Sequence, residues 1–561
     1  MRAITWKWLG AGIGLAAAAV AGAIVWHDLL RSQPAKSVRL AAWEQAQAPA
    51  SERGVALFSY GDFGALDLDV LSTSAVPWAL LAASLALHEA DGRADLAAWS
   101  DVERAFRRFG FLYPERVAGL SDPVPAFHAP LGLSVGTVTR TLGPLSLQID
   151  VLNVGCAACH AGPAYRDDGT PDLKRAVPGM PNTSLDLEAF TTTSYRAFKR
   201  AFADDAGLMT ALRRLFPELP GPEMLMLRQL AIPRAKATIA KLEASFDRPL
   251  PFPNGVPGST NGVAALKHQL HVTPRDRFND GAGFVSVPVL ADRFLRSAVL
   301  VDGAYAPKGQ QRFRPIGQDE AKARDPQQLA AIVSFFMVPS MGMSDVRVAA
   351  AIPELTRVMT WLRDVVPPPY PGRVDRTLAA AGRDVFARAC ASCHGSYDAS
   401  LERPRLQSFP NWAGNVGTDR SRVEAFTPAL TAAVGSTLHG RTYLDAASTG
   451  KTAAPLLSGL WASAPYFVNG SVPTIRHLLE PPTRPTRFMV GGHRLDLARL
   501  GIAGVARPDG SWVYPDGYEP FSTPVMIDTT KPGFSNAGHA AEVSGLSSAE
   551  RDALIEYLKL L

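Results

Sequence analysis

The sequence predicts a mainly α-helical chain with long irregular loops and few short strands, folded as two halves that are each built round one short cysteine–histidine motif. Three observations carry this. Hydrophobic residues make up 47% of the 561 and charged residues 19%, a balance that buries cores and excludes disorder. The 47 Gly and 45 Pro are spread throughout, so many connections should be irregular. The four Cys fall in two runs, Cys156-Ala157-Ala158-Cys159-His160 and Cys390-Ala391-Ser392-Cys393-His394, with none left over.

From the N-terminus, Arg2 and Lys7 precede an apolar run from Leu9 to Trp26, with Trp6, Trp8 and Trp26 at its edges. Residues 1–31 read as a secretory signal or a membrane anchor, with the anchor favoured. Ala19-Val20-Ala21 has the look of a cleavage site, but cutting there would leave Ile24-Val25-Trp26 on the mature end. Residues 32–51 read as a polar tether. The body then divides into an N-terminal unit, 52–370, and a C-terminal unit, 371–561, with one motif in each.

Helical spacing of apolar residues marks Leu96 to Phe109 (Trp99, Val102, Ala105 and Phe106 on one face), Met224 to Ala244 with Pro233 interrupting it, and Ile352 to Val365 (Leu355, Val358, Met359 and Leu362). Leu145, Leu147, Ile149 and Val151 alternate with polar residues, so the first motif is entered from an extended segment. The second motif ends a helix from Val374 to Cys393, with Leu378, Ala381, Val385, Phe386 and Ala389 on one side. A last helix begins near Ser547, where Glu550 completes a capping box, and carries Leu554, Tyr557, Leu558 and Leu561 as its stripe.

Cys-x-x-Cys-His is the attachment signature of c-type haem. Two thiols on one turn add to the two vinyl groups of the porphyrin, and the adjacent His ligates iron through an imidazole nitrogen. The cofactors expected are therefore two covalently bound haem c groups. Cys156, Cys159, Cys390 and Cys393 attach them, and His160 and His394 are the proximal iron ligands. Disulfides would use the same thiols but leave the His after each pair unexplained, zinc spacings usually bring the pairs closer in sequence than these two, and two redox dithiols each ending in His would be unusual. His268 and His271 would share a helical face near the first haem, and Met489 and Met526 fall in the right half for a thioether ligand. For each the bland reading, a polar face or core filler, carries more weight. The net charge of +5 is interspersed, with no basic run that suggests nucleic acid. No phosphate loop, His-Glu-x-x-His or Gly-x-Ser-x-Gly is found.

Several stretches together resemble one family. These are Asn153-Val154-Gly155, Ala161-Gly162, Ser286-Val287-Pro288, Asp302-Gly303, the Pro367 to Pro371 run ahead of Val374-Asp375, the block from Gly459 through Trp461 to Thr474, and Gly533 to His539. They resemble the bacterial dihaem cytochromes related to cytochrome c peroxidase and MauG, and most closely the RoxA-type rubber oxygenases, from about Gly110 to the C-terminus. Peroxidase members reduce hydrogen peroxide, and the rubber oxygenase branch cleaves double bonds of polyisoprene with oxygen. The resemblance implies two cytochrome c-like haem domains, a crossing of the helix before the second motif with the last helix, and His539 as a distal iron ligand. Val301 stands where related sequences often have Trp, and the segment from Asn182 to Phe190 has no assigned role.

The function expected is an exported dihaem oxidoreductase of the haem peroxidase or oxygenase type. It acts on peroxide or oxygen at an open haem site in the N-terminal half, with the second haem relaying electrons. No catalytic residue is assigned. The alternative is a non-catalytic electron-transfer dihaem cytochrome. A redox partner protein or a small-molecule oxidant is expected, and the location is the periplasmic side of the inner membrane, anchored or secreted.

Overall fold

Three apolar cores organise the chain in the computed structural model, which describes residues 35–67, 75–142, 145–272 and 283–561. The expected anchor, 1–31, lies outside the described residues. Among those described, no helix is long and apolar enough to cross a membrane. The expected tether is not a bare linker over its described part. Val38–Gln45 is a helix that buries Leu40 and Trp43, because that short run places two large apolar side chains three residues apart.

The first core gathers round the helix Trp78–Glu89, whose side chains from Trp78 to Leu87 are all buried. Such a helix has no polar face and needs neighbours on every side. They are Trp99–Arg108, Leu187–Ala203, Asp205–Leu215 and the strand Leu145–Val154. The strand pairs antiparallel with Leu133–Leu142, with Leu133 opposite Val154. Ile149 and Val151 point into the core, as the alternation requires. The expected helix at 96–109 is found at Trp99–Arg108, with Asp101 accepting from the Ala98 N–H at 3.0 Å. The segment 224–244 is helical but broken. Gly221–Met226 passes through a π turn, Leu227–Ala231, into Ile232–Ser245. Pro233 lacks an N–H and its ring crowds the preceding turn, which explains the widened turn just before it.

The second core packs Arg53–Tyr60, Gly262–Gln269, Pro326–Met341 and Ile352–Arg363 together. The predicted stripe of the last is buried at Leu355, Val358, Met359 and Leu362. A boundary was expected at 370/371, yet Leu406, Phe409, Phe426, Leu430, Val434 and Leu444 belong to this same core. The chain after the second motif therefore returns to close the core of the first half.

The third core is the C-terminal unit proper. The helix Arg376–Ala389 crosses Ser548–Leu558. Asp375 caps the first, accepting from the N–H groups of Thr377 and Leu378, and Ser547 with Glu550 forms the expected capping box on the second. A four-stranded sheet lies alongside, with Arg487–Val490 between Ser511–Val513, parallel to it, and Val525–Asp528, antiparallel. The molecule is mainly α, as expected, but strands are more numerous than foreseen. Twenty-one occur among the described residues, most of two to five residues. Apart from the long pair Leu133–Leu142 and Leu145–Val154, most are short loop pairings with no periodicity that a sequence reading detects.

Candidate haem sites

The first motif forms a single turn of helix, Cys156–His160, directly after the strand Leu145–Val154. Backbone contacts clamp it. The Gly155 N–H donates to Gly132 O at 2.7 Å, the Gly179 N–H to His160 O at 2.8 Å, and the Asn182 N–H to Cys159 O at 2.8 Å. Gly132 has φ +83, and a Cβ there would lie 2.0 Å from Ala158 N, so only glycine permits this approach. The Asn182 side chain also donates to Ala158 O at 3.3 Å and Gly110 O at 2.9 Å. This gives the unassigned Asn182 segment a role. It braces the turn that carries Cys159.

The second motif follows the helix Arg376–Ala389, with Ala391–His394 as its short turn. The two motif histidines are held alike. His160 Nδ1 faces Pro288 O at 3.3 Å, and His394 Nδ1 faces Pro455 O at 3.0 Å. A carbonyl acceptor fixes the proton on Nδ1 and leaves Nε2 as a ligand. Burial pushes the His160 imidazole down to about 4, helped by nearby Arg293 and opposed by the Pro288 carbonyl, and burial lowers His394 as well. Both rings are therefore neutral at pH 7, as metal ligation requires.

All four thiols are unpaired. Burial raises Cys156 to about 11, Cys159 to about 12 and Cys390 to about 11, and Cys393 is raised by the same cause. A redox dithiol needs the opposite, a lowered pKa. Among the described residues no cluster of three or more His, Cys, Asp or Glu is arranged to hold a metal ion.

His539 faces His394, with ring centroids 6.4 Å apart and planes 27° apart. A metal–imidazole bond of about 2 Å on each side, plus about 1 Å from nitrogen to ring centre, fills that gap with one ion. The donor set thus fits a haem c iron between the two rings, with Cys390 and Cys393 on the adjoining turn. The loop that presents His539 is fixed by the Asn469–Ser471 stretch. Asn469 Nδ2 donates to Gly533 O at 3.1 Å and Ser535 O at 3.0 Å, and Ser471 Oγ donates to Ser535 O at 2.9 Å. The His539 N–H donates to Val416 O at 2.9 Å, and Phe467 stacks on its ring at 5.4 Å. His539 Nδ1 is buried without a hydrogen-bond partner, so the ring is not committed to the protein. Burial, with His394 and Arg484 nearby, lowers its pKa to about 4.

No histidine ring faces His160 in this way among the described residues. His268 lines the same cavity but its ring lies against Phe252, and His271 falls outside the helix Gly262–Gln269, so the two do not share a helical face. Met489 and Met526 sit on sheet strands away from the cavity wall. His439 meets Ser334 Oγ at 2.8 Å, His477 meets Thr474 Oγ1 at 2.8 Å and His128 meets Glu103 at 2.9 Å, as ordinary structural histidines do.

One cavity of about 1190 Å³ is lined by both motifs and His539. An arm of it, walled by Phe190, Ser194, Phe198, Ala235, Ile239 and Leu242, runs between the helices Leu187–Ala203 and Ile232–Ser245 in the N-terminal half. Between the motifs, Asp292 hydrogen-bonds to Ser458 Oγ, tying the Pro288 segment to the Pro455 loop.

A crossed helix pair, a Cys-x-x-Cys-His turn and an opposed pair of imidazoles are the parts that a c-type haem site calls for. Residues 452–489 match the RoxA-like, cytochrome c-like family, and this supports a c-type cytochrome of the RoxA type with covalently bound haem c. The matched stretch runs from the loop beneath His394 through the Trp461–Thr474 block to the strand Arg487–Val490. Over 209 residues, 32% of this chain and 45% of the relative, the chain is 28% identical to the uncharacterized protein y4iM of Sinorhizobium fredii. Over 261 residues, 35% of this chain and 41% of the relative, it is 29% identical to the uncharacterized protein y4iJ of the same organism. The similarity spans less than half the length of either relative.

Proposed function

We propose that the chain is an exported dihaem c-type cytochrome oxidoreductase that acts on peroxide or oxygen at an open haem site over His160. The second haem, between His394 and His539, relays electrons. The observation that carries this is asymmetry. His394 has an imidazole opposite it at 6.4 Å, whereas His160 has none among the described residues; both line one cavity, whose apolar arm lies in the N-terminal half. An iron held by two imidazoles is saturated, and one held by a single imidazole keeps a site for an exogenous ligand. The chain's own contribution is to fix the two proximal rings through the Pro288 and Pro455 carbonyls, and to exclude water with Phe190, Phe198 and Ile239. An apolar organic molecule or a small oxidant fits that arm better than a charged one.

The test is the electron paramagnetic resonance spectrum of the oxidised protein with haem content fixed by intact mass. One high-spin and one low-spin signal, with a mass gain of two haems, is expected. His539→Ala should convert the low-spin signal to a high-spin or water-bound one. Replacing Cys156 and Cys159 together should remove one haem and the original high-spin signal. Two low-spin signals in the unaltered protein would favour a plain electron carrier instead.

A further inference from the structure

The cavity wall carries a cation that no ion pair holds among the described residues, although adjacent Asp292 offsets part of its charge. Arg293 lines the cavity. Its Nε donates to Val289 O at 2.9 Å and its Nη2 donates to the same oxygen, while Nη1 has no acceptor among the described residues. No carboxylate lies within ion-pair distance of it among those residues. The adjacent Asp292 turns instead to Ser458 Oγ. Arg296, 5% exposed, has its donors committed to carbonyls, Ala298 O at 3.2 Å, Ala454 O at 2.6 Å and Leu300 O at 3.1 Å, and adds a second positive charge nearby. Arg422, on the same wall, is by contrast paired with Asp302 at 2.9 Å. A guanidinium deep in apolar surroundings is costly unless an anion meets it.

Arg293 is also fixed relative to the first proximal histidine. Pro288, which accepts from His160, lies five residues ahead of it on the same segment, and the 3₁₀ turn Arg293–Leu295 begins at Arg293 itself. Resting on the reading that Cys156, Cys159 and His160 carry a haem, we propose that Arg293 is the anchor of a propionate carboxylate of that haem. Nη1 donates to the carboxylate, and Arg296 strengthens the field that keeps it ionised. Arg293 binds and positions and takes no part in the chemistry at iron. A cation beside the ring favours the reduced iron, so it raises the potential of this haem.

The experiment uses the full-length holoprotein with Arg293→Gln and Arg293→Lys, haem content fixed by intact mass. The readouts are the propionate bending bands in the resonance Raman spectrum and the midpoint potential of the first haem against pH. The unaltered protein should hold a nearly constant potential from roughly pH 5 to 8, because the pinned propionate stays ionised. Arg293→Gln should lower the potential at neutral pH, make it pH-dependent in that window and shift the propionate bands. Arg293→Lys, which keeps the charge, should restore most of the potential. Unchanged bands and an unchanged pH profile in Arg293→Gln would overturn the assignment, even if the potential moved, since a distant charge would suffice for that. If Arg293→Gln yields no holoprotein, Arg293→Lys decides alone. Displaced propionate bands support the contact and unmoved bands refute it. A mass gain of one haem in the unaltered protein would instead refute the dihaem reading on which the inference rests.

Discussion

Gly382 lies directly against Ala553, so that a Cβ at 382 would stand 1.9 Å from the Ala553 carbonyl oxygen and 3.0 Å from Tyr557 Cβ. The helices Arg376–Ala389 and Ser548–Leu558 touch backbone to backbone at this point. Gly382→Ala must therefore separate the helices that carry the second motif. The expected cost is about 1–3 kcal/mol, the usual range for overpacking. Denaturant unfolding of the holoprotein checks it, and unchanged stability would mean that the crossing is looser than described.

Arg422 and Asp302 form an ion pair with 4% and 1% of their side chains exposed. Asp302 also accepts from the Ala304 N–H at 3.1 Å. Asp302→Asn leaves Arg422 buried without its counter-charge and should cost about 3–5 kcal/mol. Replacing both partners by apolar residues of similar volume should cost less. If the double replacement proves the worse of the two, the pair is contributing more than charge balance.

His493 is 1% exposed, and burial depresses its pKa to about 4. Unfolded, the ring takes up a proton near pH 6.5, while in the folded protein it stays neutral down to about 4. The unfolded state therefore binds more protons across that window, and stability falls as the pH drops through it, by about 3 kcal/mol in all. Above pH 6.5 this contribution is fully present. His493→Gln should flatten the fall between pH 6.5 and 4 in unfolding free energies measured against pH, and an unaltered slope would assign the acid sensitivity elsewhere.

Arg2 and Lys7 ahead of the Leu9–Trp26 run predict that the body lies outside the cytoplasm. A reporter that works only in the cytoplasm, fused after Leu561, should be silent. Activity from that fusion would place the body inside.

The sequence makes some of this architecture legible and conceals the rest for identifiable reasons. Val385, Phe386, Leu554 and Tyr557 are spaced by helical turns, so the two crossing helices are readable; their contact at Gly382 is not, since a glycine carries no periodicity. Cys156 to His160 and Cys390 to His394 announce themselves because the spacing within each run is local. His539 and Phe467 come together from loops far apart in the chain, through hydrogen bonds from Asn469 and Ser471 that no pattern encodes. Pro288 lies in a stretch that the resemblance includes, but the carbonyl it offers His160 is a backbone atom that any residue would supply. Pro455 and Arg293 carry no signal of their own. What sets Arg293 apart is that no carboxylate pairs with it among the described residues, a feature of the fold and not of any local pattern.

Phe409, Phe426, Leu430 and Val434 complete the core that Phe335, Ile332 and Leu355 begin. In the order of synthesis that core stays open along one side until residues well beyond the second motif have emerged. The turn carrying Cys156 and Cys159, half-buried in the finished fold, faces a cavity that this late-arriving chain helps to wall with Trp412, Val416 and Thr418.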